Sequence, residues 1–284
     1  MIVLNYNDHK TTIKFLEMIK NYKNIDKVVV IDNNSKDNSV NEIKKYVNER
    51  IVLLESKENK GYGAGNNMGI KYLKEFSEIN YISISNPDIE FKEEEINKLI
   101  EFLDKNKDIT MATGRIIENG KNAEDGSWKL PTYSKCLLQT IPLVDKVVNK
   151  SLSYSDEYYT GQYSLVDCIK GCFFIARTKV LDEINGFDED TFLYYEENIL
   201  GYKLKERNYL VAVLNNVNII HAHGITINKA FKKIEKFKIL NKSRLVYMRK
   251  CLKIEGFKMG LYNFTQVIGI NLRKMLYYIQ GIGK

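Results

Sequence analysis

Apolar runs of strand length alternate with stretches of helical periodicity through Thr113. Residues 2–6 (IVLNY) read as a first strand, and Asp8 is placed to cap a helix whose Ile13, Leu16 and Ile19 share one face. Lys27–Asp32 (KVVVID) is continuously apolar up to its final acid, the pattern of a parallel strand covered on both faces. Asn33, Asn34, Ser35 and Asp37 make the following turn, and Ser39 with Glu42 reads as a capping box for a helix to about Asn48. A third strand is expected at Ile51–Glu55, a helix from the glycine-rich segment to about Ser77, and a buried strand at Tyr81–Phe91 (YISISNPDIEF). A helix over Glu93–Lys105 and a strand at Ile109–Thr113 complete an alternation that predicts a mostly parallel α/β sheet.

The pattern then breaks. Residues 114–163 hold the sole tryptophan (Trp128), two of the three prolines and many polar residues, and read as a long irregular insertion suited to a lid or acceptor loop. Val166–Arg177 is strand-like again, with Gly171 in its middle. A helix is expected from Thr178, another through Glu206, and short strands at Leu210–Leu214 and Asn218–His221. Beyond Ala230, Phe231, Ile234, Phe237 and Leu245 alternate with lysines in the manner of an amphipathic surface helix. The longest uncharged run there, Met259–Leu272, is 14 residues, short of the ~20 needed to span a bilayer.

Charge sharpens this division. The 284-residue chain has a net charge of +7, but residues 229–284 hold 14 Lys and Arg against two acids, a net +12, leaving −5 for the rest. An acidic body with a basic tail points to an anionic partner, and without a nucleic-acid recognition motif an anionic membrane surface is the expectation. Composition, 44% hydrophobic and 28% charged, is that of a globular chain. Met1 leads into IVLNYN without a basic n-region or cleavage site, so no signal peptide is expected. Cys136, Cys168, Cys172 and Cys251 show no metal or disulfide spacing and read as free thiols of a reducing cytoplasm.

Four stretches carry candidate chemistry, each with a plainer reading beside it. Pro87 has no N–H for a ladder, so the strand should end at Asn86-Pro87-Asp88, leaving Asp88 at a carboxyl edge as a hard-metal ligand or as a turn residue. Gly61, Gly63 and Gly65 allow close backbone approach, either to a phosphate or ribose at a helix N-terminus or simply to neighbouring chain. Glu196 and Glu197 open a helix, where acids favour the dipole; the functional alternative is a general base. His221 and His223 follow a strand and suit a metal, a phosphate or an ordinary polar contact.

Taken in order, the motifs resemble the family 2 (GT-A type) glycosyltransferases, particularly the rhamnosyltransferase-like branch. They are Asn5-Tyr6-Asn7; Val30-Ile31-Asp32-Asn33-Asn34-Ser35 with Asp37; Asn59-x-Gly61-Tyr62-Gly63-x-Gly65-Asn66-Asn67; Asn86-Pro87-Asp88; Gly171 to Arg177; Gly186-Phe187-Asp188-Glu189; Tyr195-Glu196-Glu197; and His221. The resemblance covers about residues 2–228. It implies a GT-A, Rossmann-like nucleotide-sugar-binding domain over 1–228, with 114–163 as the acceptor-side insertion and 229–284 as a basic helical extension.

The resemblance also implies roles. Asn5 and Tyr6 match nucleobase-cradle positions, Asp32 the acid that contacts base or ribose, and Asn34 its turn. Gly61, Tyr62, Gly63 and Asn67 match the loop that closes over the nucleoside. Asp88 matches the last acid of the D-x-D-like motif that holds Mn²⁺ or Mg²⁺ on the diphosphate, with Asn86 in place of its first acid. Glu197 stands where the family places its base, with Glu196 in reserve, and Ile199 replaces a further acid found in many relatives. His221 matches a position that completes the metal or diphosphate site, His223 less closely, and Gly171 would let sugar or acceptor approach.

The expected activity is inverting transfer of a sugar, from dTDP-rhamnose or a UDP-hexose, to a glycan or lipid-linked saccharide acceptor. The setting would be bacterial surface glycan synthesis, at the inner face of the cell membrane. A sugar nucleotidyltransferase is the alternative enzyme, but it should carry a basic glycine-rich loop where Asn5-Tyr6-Asn7-Asp8 stand. A non-catalytic nucleotide-sugar or membrane-binding relative is the alternative outside catalysis, opposed by the presence of Asp88, Glu197 and His221.

Overall fold

The structure is a computed structural model that describes residues 1–222 and 233–279. His223 and the first residues of the basic extension therefore lie outside the described residues. The strands are β1 (Ile2–Asn5), β2 (Val28–Asp32), β3 (Ile51–Glu55), β4 (Tyr81–Ser85), β5 (Ile89–Glu90), β6 (Ile109–Glu118), β7 (Lys121–Asn122), β8 (Ser127–Trp128), β9 (Tyr163–Val166), β10 (Cys168–Ile169), β11 (Phe173–Arg177) and β12 (Leu210–His221). The helices are α1 (His9–Ile19), α2 (Ser39–Lys44), α3 (Tyr62–Leu73), α4 (Glu93–Lys105), α5 (Tyr133–Leu138), α6 (Val144–Leu152), α7 (Thr178–Glu183), α8 (Glu196–Glu206), α9 (Lys233–Lys250) and α10 (Gly256–Ile279).

The main sheet runs β3-β2-β1-β4-β11-β6-β12-β5, with β7 beside β6 and β9 beside β12. β1 to β4 pair in parallel, as the alternation of strand and helix requires. β11, in the middle of the sheet, is antiparallel to both β4 and β6, and β5, β7 and β9 also pair antiparallel. Helices cover both faces. Phe15, Leu16 and Ile19 of α1 pack with Leu99, Phe102 and Leu103 of α4 on one side. Ile70, Leu73, Leu181, Leu200 and Leu204 from α3, α7 and α8 pack on the other. Each fully buried side chain of this size contributes about 1.5–3 kcal/mol by leaving water.

Several boundaries differ from the sequence expectation. The stretch read as one strand at Val166–Arg177 is three short strands, because the chain turns at Asp167 and again at Lys170–Cys172. The two strands expected at 210–221 are one, with a register shift between Leu214 and Asn218 that absorbs the polar pair Asn215-Asn216. The insertion is less irregular than expected: β6 runs on to Glu118, and α5 and α6 follow. α9 departs most. It buries Phe237, Asn241, Arg244, Tyr247 and Met248, and its Tyr247 and Met248 form a third core with Cys136, Tyr195, Ile199 and Tyr262. It is a packed helix of the body, where the lysine pattern had suggested a surface amphipath. All four cysteines are free and buried.

Candidate active site

Sheet register assembles the centre of the site. The Asn86-Pro87-Asp88 turn follows β4 and leads into β5, which pairs antiparallel with the end of β12 so that His221 faces Ile89. The Ala222 N–H donates to the Asp88 carbonyl at 2.9 Å, and the His221 Nε2 lies 3.5 Å from Asp88 Oδ2. On its other side β12 pairs parallel with β6, Ile220 beside Ile117, which places Glu118 next to His221. His221 Nδ1 and Glu118 Oε1 are 2.7 Å apart. Lys170 Nζ, in the turn before Gly171, donates to Glu118 Oε1 and to Asp125 Oδ1, both at 2.7 Å.

This chain of charges sets protonation. Burial pulls the His221 imidazole down, but the carboxylates of Asp88 and Glu118 outweigh it and raise its pKa. Burial pushes Glu118 up, and hydrogen bonds from Lys170 and His221 overcome that and hold it below the usual carboxylate range. His221 Nε2 is nevertheless a buried nitrogen without a hydrogen bond. A buried polar atom left in that state is rare and asks for a partner. An imidazole nitrogen and a carboxylate oxygen side by side fit a divalent cation that takes its remaining ligands from diphosphate and water. Among the described residues no cluster of three or more His, Cys, Asp or Glu side chains is arranged to hold a metal alone.

A cavity of about 450 Å³ opens beside this centre, lined by Tyr62, Asn86, Trp128, Glu196, Glu197 and His221. Glu196 and Glu197 form the first turn of α8. Glu196 is 2% exposed and its Oε2 has no hydrogen-bond partner. Glu197 Oε1 accepts from the Gly171 N–H at 3.2 Å. Burial raises both carboxyl pKa values; Glu196 rises further because the neighbouring Glu197 charge adds to it, whereas amide donors and Lys170 restrain Glu197. A side chain at Gly171 would put its Cβ 2.8 Å from Glu197 Oε1. This glycine thus admits the acid itself, and the Tyr62 hydroxyl, which donates to the Gly171 carbonyl, closes the other side of the turn.

The residues matched to the nucleoside side form a separate, internally saturated group. Asn5 Nδ2 donates to Asp32 Oδ1 at 2.9 Å, and the Ser35 N–H to Asp32 Oδ2 at 2.9 Å. Thr12 Oγ1 donates to Asn5 Oδ1 at 2.8 Å, and Asn5 and Asp32 are both buried. Asn34 takes a positive φ in the turn and donates to the Lys57 carbonyl, and Tyr6 is half-buried. The glycines of α3 serve packing: a Cβ at Gly61, whose φ is +103°, would meet the Phe192 carbonyl at 2.0 Å, and one at Gly63 would crowd Phe187. Asn67 bridges to the loop at Gly186–Glu189, accepting from the Phe187 N–H at 2.9 Å and donating to Glu189 at 2.8 Å. The sequence-derived site thus divides in two. Asn86, Gly171, Glu196, Glu197, His221 and Tyr62 line the cavity, with Asp88 behind it against His221, and Asn5, Tyr6, Asp32 and Asn34 gather at the neighbouring strand ends.

Sequence reasoning missed Glu118, Lys170, Asp125, Gln139 and Arg244. Glu118 and Lys170 lie where strand ends were misjudged, and Arg244 looked like one more cation of the tail. A larger groove of about 880 Å³ sits at the opposite sheet edge, lined by Met1, Lys27, Tyr81 and Arg177. Ligands of open α/β sheets bind outside the carboxyl ends of the strands, which makes the smaller cavity the candidate site.

The model of the family described as glycosyl transferase family 2 matches residues 1–184. The chain belongs to that family. The matched segment contains Asp32, Asp88 and Gly171 and ends before Glu196, Glu197 and His221. Among curated relatives, the low-salt glycan biosynthesis hexosyltransferase Agl10 of Haloferax volcanii is 26% identical over 226 residues, covering 78% of this chain and 66% of its own length. The rhamnosyltransferase WbbL of Escherichia coli K12 is 25% identical over 181 residues, covering 61% of this chain and 66% of its own. This chain therefore spans just under two thirds of these relatives. Among solved structures, the mannosyltransferase PcManGT of Pyrobaculum calidifontis, in complex with GDP-Man and Mn²⁺, aligns over 98% of this chain and 74% of that one. Its TM-score of 0.58 at 12% identity is a likeness of fold. The family 2 chain described here has the GT-A fold.

Proposed function

We propose that the chain moves a sugar from a nucleoside diphosphate sugar to an acceptor hydroxyl in one displacement, with inversion at the anomeric carbon. The observation that carries this reading is the Glu196–Glu197 pair in the wall of a cavity that also takes in Asn86 and His221. Glu197, the less strongly raised of the two acids, takes the proton from the acceptor hydroxyl as its oxygen bonds to the anomeric carbon. The bond from that carbon to the phosphate oxygen breaks, and the nucleoside diphosphate leaves with the electron pair. A general base so placed supplies roughly 10²–10⁴-fold in rate. Burial and the neighbouring Glu197 charge favour the protonated form of Glu196, which keeps a second negative charge out of the cavity.

Asp88 and His221 would hold the divalent cation, Mn²⁺ or Mg²⁺, which when bound supplies neutralisation of charge on the leaving diphosphate. Asp32, Asn5, Tyr6 and Asn34 shape the strand-end crevice that takes the nucleoside. The PcManGT complex, with its nucleotide sugar and Mn²⁺, supports this reading. The two curated relatives, named as a low-salt glycan biosynthesis hexosyltransferase and a rhamnosyltransferase, favour transfer of a hexosyl or rhamnosyl group in glycan synthesis, and dTDP-rhamnose and a UDP-hexose are the donors to test first. A screen of nucleotide sugars for thermal stabilisation, with and without Mn²⁺, should find one donor class that stabilises in the presence of the ion. Stabilisation by none of them would remove the donor assignment.

The same reading places the protein at the cytoplasmic membrane surface. No helix among the described residues is long and apolar enough to cross a membrane. α10 instead exposes Phe257, Phe264, Val267, Ile268, Met275 and Ile279, carries Lys258 and Lys274, and contains no acid. Leu143 and Val147 of the α6 region are exposed too, and Asp145 pairs with Arg273 of α10 at 2.5 Å, so the two apolar surfaces adjoin. Apolar side chains among lysines suit an anionic interface. Co-sedimentation with vesicles containing phosphatidylglycerol should be lost in Phe257→Glu/Phe264→Glu; retention in that variant would remove the membrane assignment.

A further inference from the structure

Two consecutive tyrosines immediately before the acids, Tyr194 and Tyr195, adopt φ of +70° and +68°. Bulky residues seldom hold this left-handed conformation, and the surrounding structure must enforce it. The enforcing contacts come from α9. Ser243 Oγ donates to the Leu193 carbonyl at 2.8 Å, and Arg244 Nε donates to the Tyr195 hydroxyl at 2.9 Å. Lys250 Nζ grips the start of the same loop through Asp188 at 2.8 Å and Asp190 at 2.7 Å. Arg244 is itself fixed, 2% exposed, with Nη1 donating to Asn241 Oδ1 at 2.6 Å. The Tyr195 hydroxyl donates in turn to Gln139 Oε1 at 2.9 Å, and Gln139 Nε2 donates to Asn149 Oδ1 at 2.6 Å. One run of hydrogen bonds therefore joins α9, the loop that carries the acids and the helices of the insertion. Gln139, Asn149, Tyr195 and Arg244 all line the cavity.

We propose that Arg244 and Tyr195 are positioning residues: together they hold the left-handed turn at 194–195 so that Glu196 and Glu197 enter the cavity, and they couple that turn to the acceptor wall through Gln139. The assignment rests on the reading of Glu197 as the base. It makes α9, which lies outside the family-matched segment, a working part of the active site. Tyr195 and Arg244 act through the loop without touching the reacting atoms.

The test is Tyr195→Phe in the full chain, which keeps the ring in its core and removes the hydroxyl alone, with Arg244→Lys as a second variant that keeps the charge. Hydrogen exchange is followed at the Ile199 amide, whose bond to the Tyr195 carbonyl at 3.0 Å is the first of α8, with β2 amides as the control. Both variants should exchange at Ile199 at least tenfold faster than the parent, with β2 unchanged, and kcat should fall at least tenfold while the donor KM stays within twofold. Unchanged exchange would overturn the proposal, whatever kcat does, since a fall in kcat alone would make the hydroxyl a substrate contact. Faster exchange with undiminished kcat would overturn it as well. The exchange measurement needs no substrate: if the parent transfers no sugar, the proposed function fails while the clasp is still decided by exchange.

Discussion

Two clusters of polar side chains lie at the carboxyl edge of one sheet, and they are built in opposite ways. Around Asp32 the chain satisfies itself: Asn5, Ser35 and Thr12 complete a closed set of hydrogen bonds. Around Asp88 and the acids of α8 it does not: His221 Nε2 and Glu196 Oε2 are buried without hydrogen bonds, and two carboxyls share one cavity wall. An unsatisfied buried polar group is costly, so a chain retains it where a ligand completes it. The first cluster gives the crevice its shape, and the second is where chemistry is expected.

The largest effect that could break this contrast is at Glu197. Glu197→Gln should lower transfer by roughly 10²–10⁴-fold without lowering the melting temperature, since the amide preserves shape and removes the basic oxygen. A variant that keeps more than a tenth of parental kcat would take the base away from this residue. Next, the two strand-end acids should part company. Asp88→Asn should cost about 10²-fold in transfer with little change in stability, whereas Asp32→Asn should cost about 1–3 kcal/mol in urea unfolding, because its NH2 would face one of the two N–H donors that the carboxylate now accepts from. Equal loss of stability in both would erase the distinction.

The smallest effect concerns Glu196. Its folded pKa is raised above the ordinary 4.5 by burial and by Glu197. The folded state therefore binds the proton more tightly than the unfolded chain, and stability declines as pH rises from about 4.5 through the folded value. Glu196→Gln, which mimics the protonated form, should raise the melting temperature by a few degrees at neutral pH. Below pH 4.5, where both states of the parent are protonated, the gain should vanish. A gain that persists in acid would have another origin.

Much of the first half was legible because its physics is local. An unbroken apolar run such as Val28–Ile31 fits a strand covered on both faces, and Pro87 stops a strand wherever it occurs. Asn86-Pro87-Asp88 is a turn, as Pro87 required, with the Ile89 N–H donating to the Asn86 carbonyl, and that turn carries Asp88 to His221. Glu118 and Lys170 were not legible, because their meeting depends on which strand lies beside β12 and in what register. Antiparallel β11 escaped for the same reason: strand direction follows from connections, and the insertion before β11 is too long to reveal its path. Arg244 was hidden by composition, one cation among the 14 Lys and Arg of residues 229–284, distinguished solely by what it touches.

The third core bears on how this protein can be divided. Its members come from α5, α8, α9 and α10, from the residue before α8 and from the residue after α9, drawing on nearly half the length of the chain. A protein ended after β12 would keep the whole sheet yet bare Tyr195, Ile199 and Cys136 to water. The seam suggested by sequence composition is therefore a poor place for a protease, a fusion partner or a recombination event to part the chain. Exchange of C-terminal segments between relatives should succeed most readily when the α8 face travels with them.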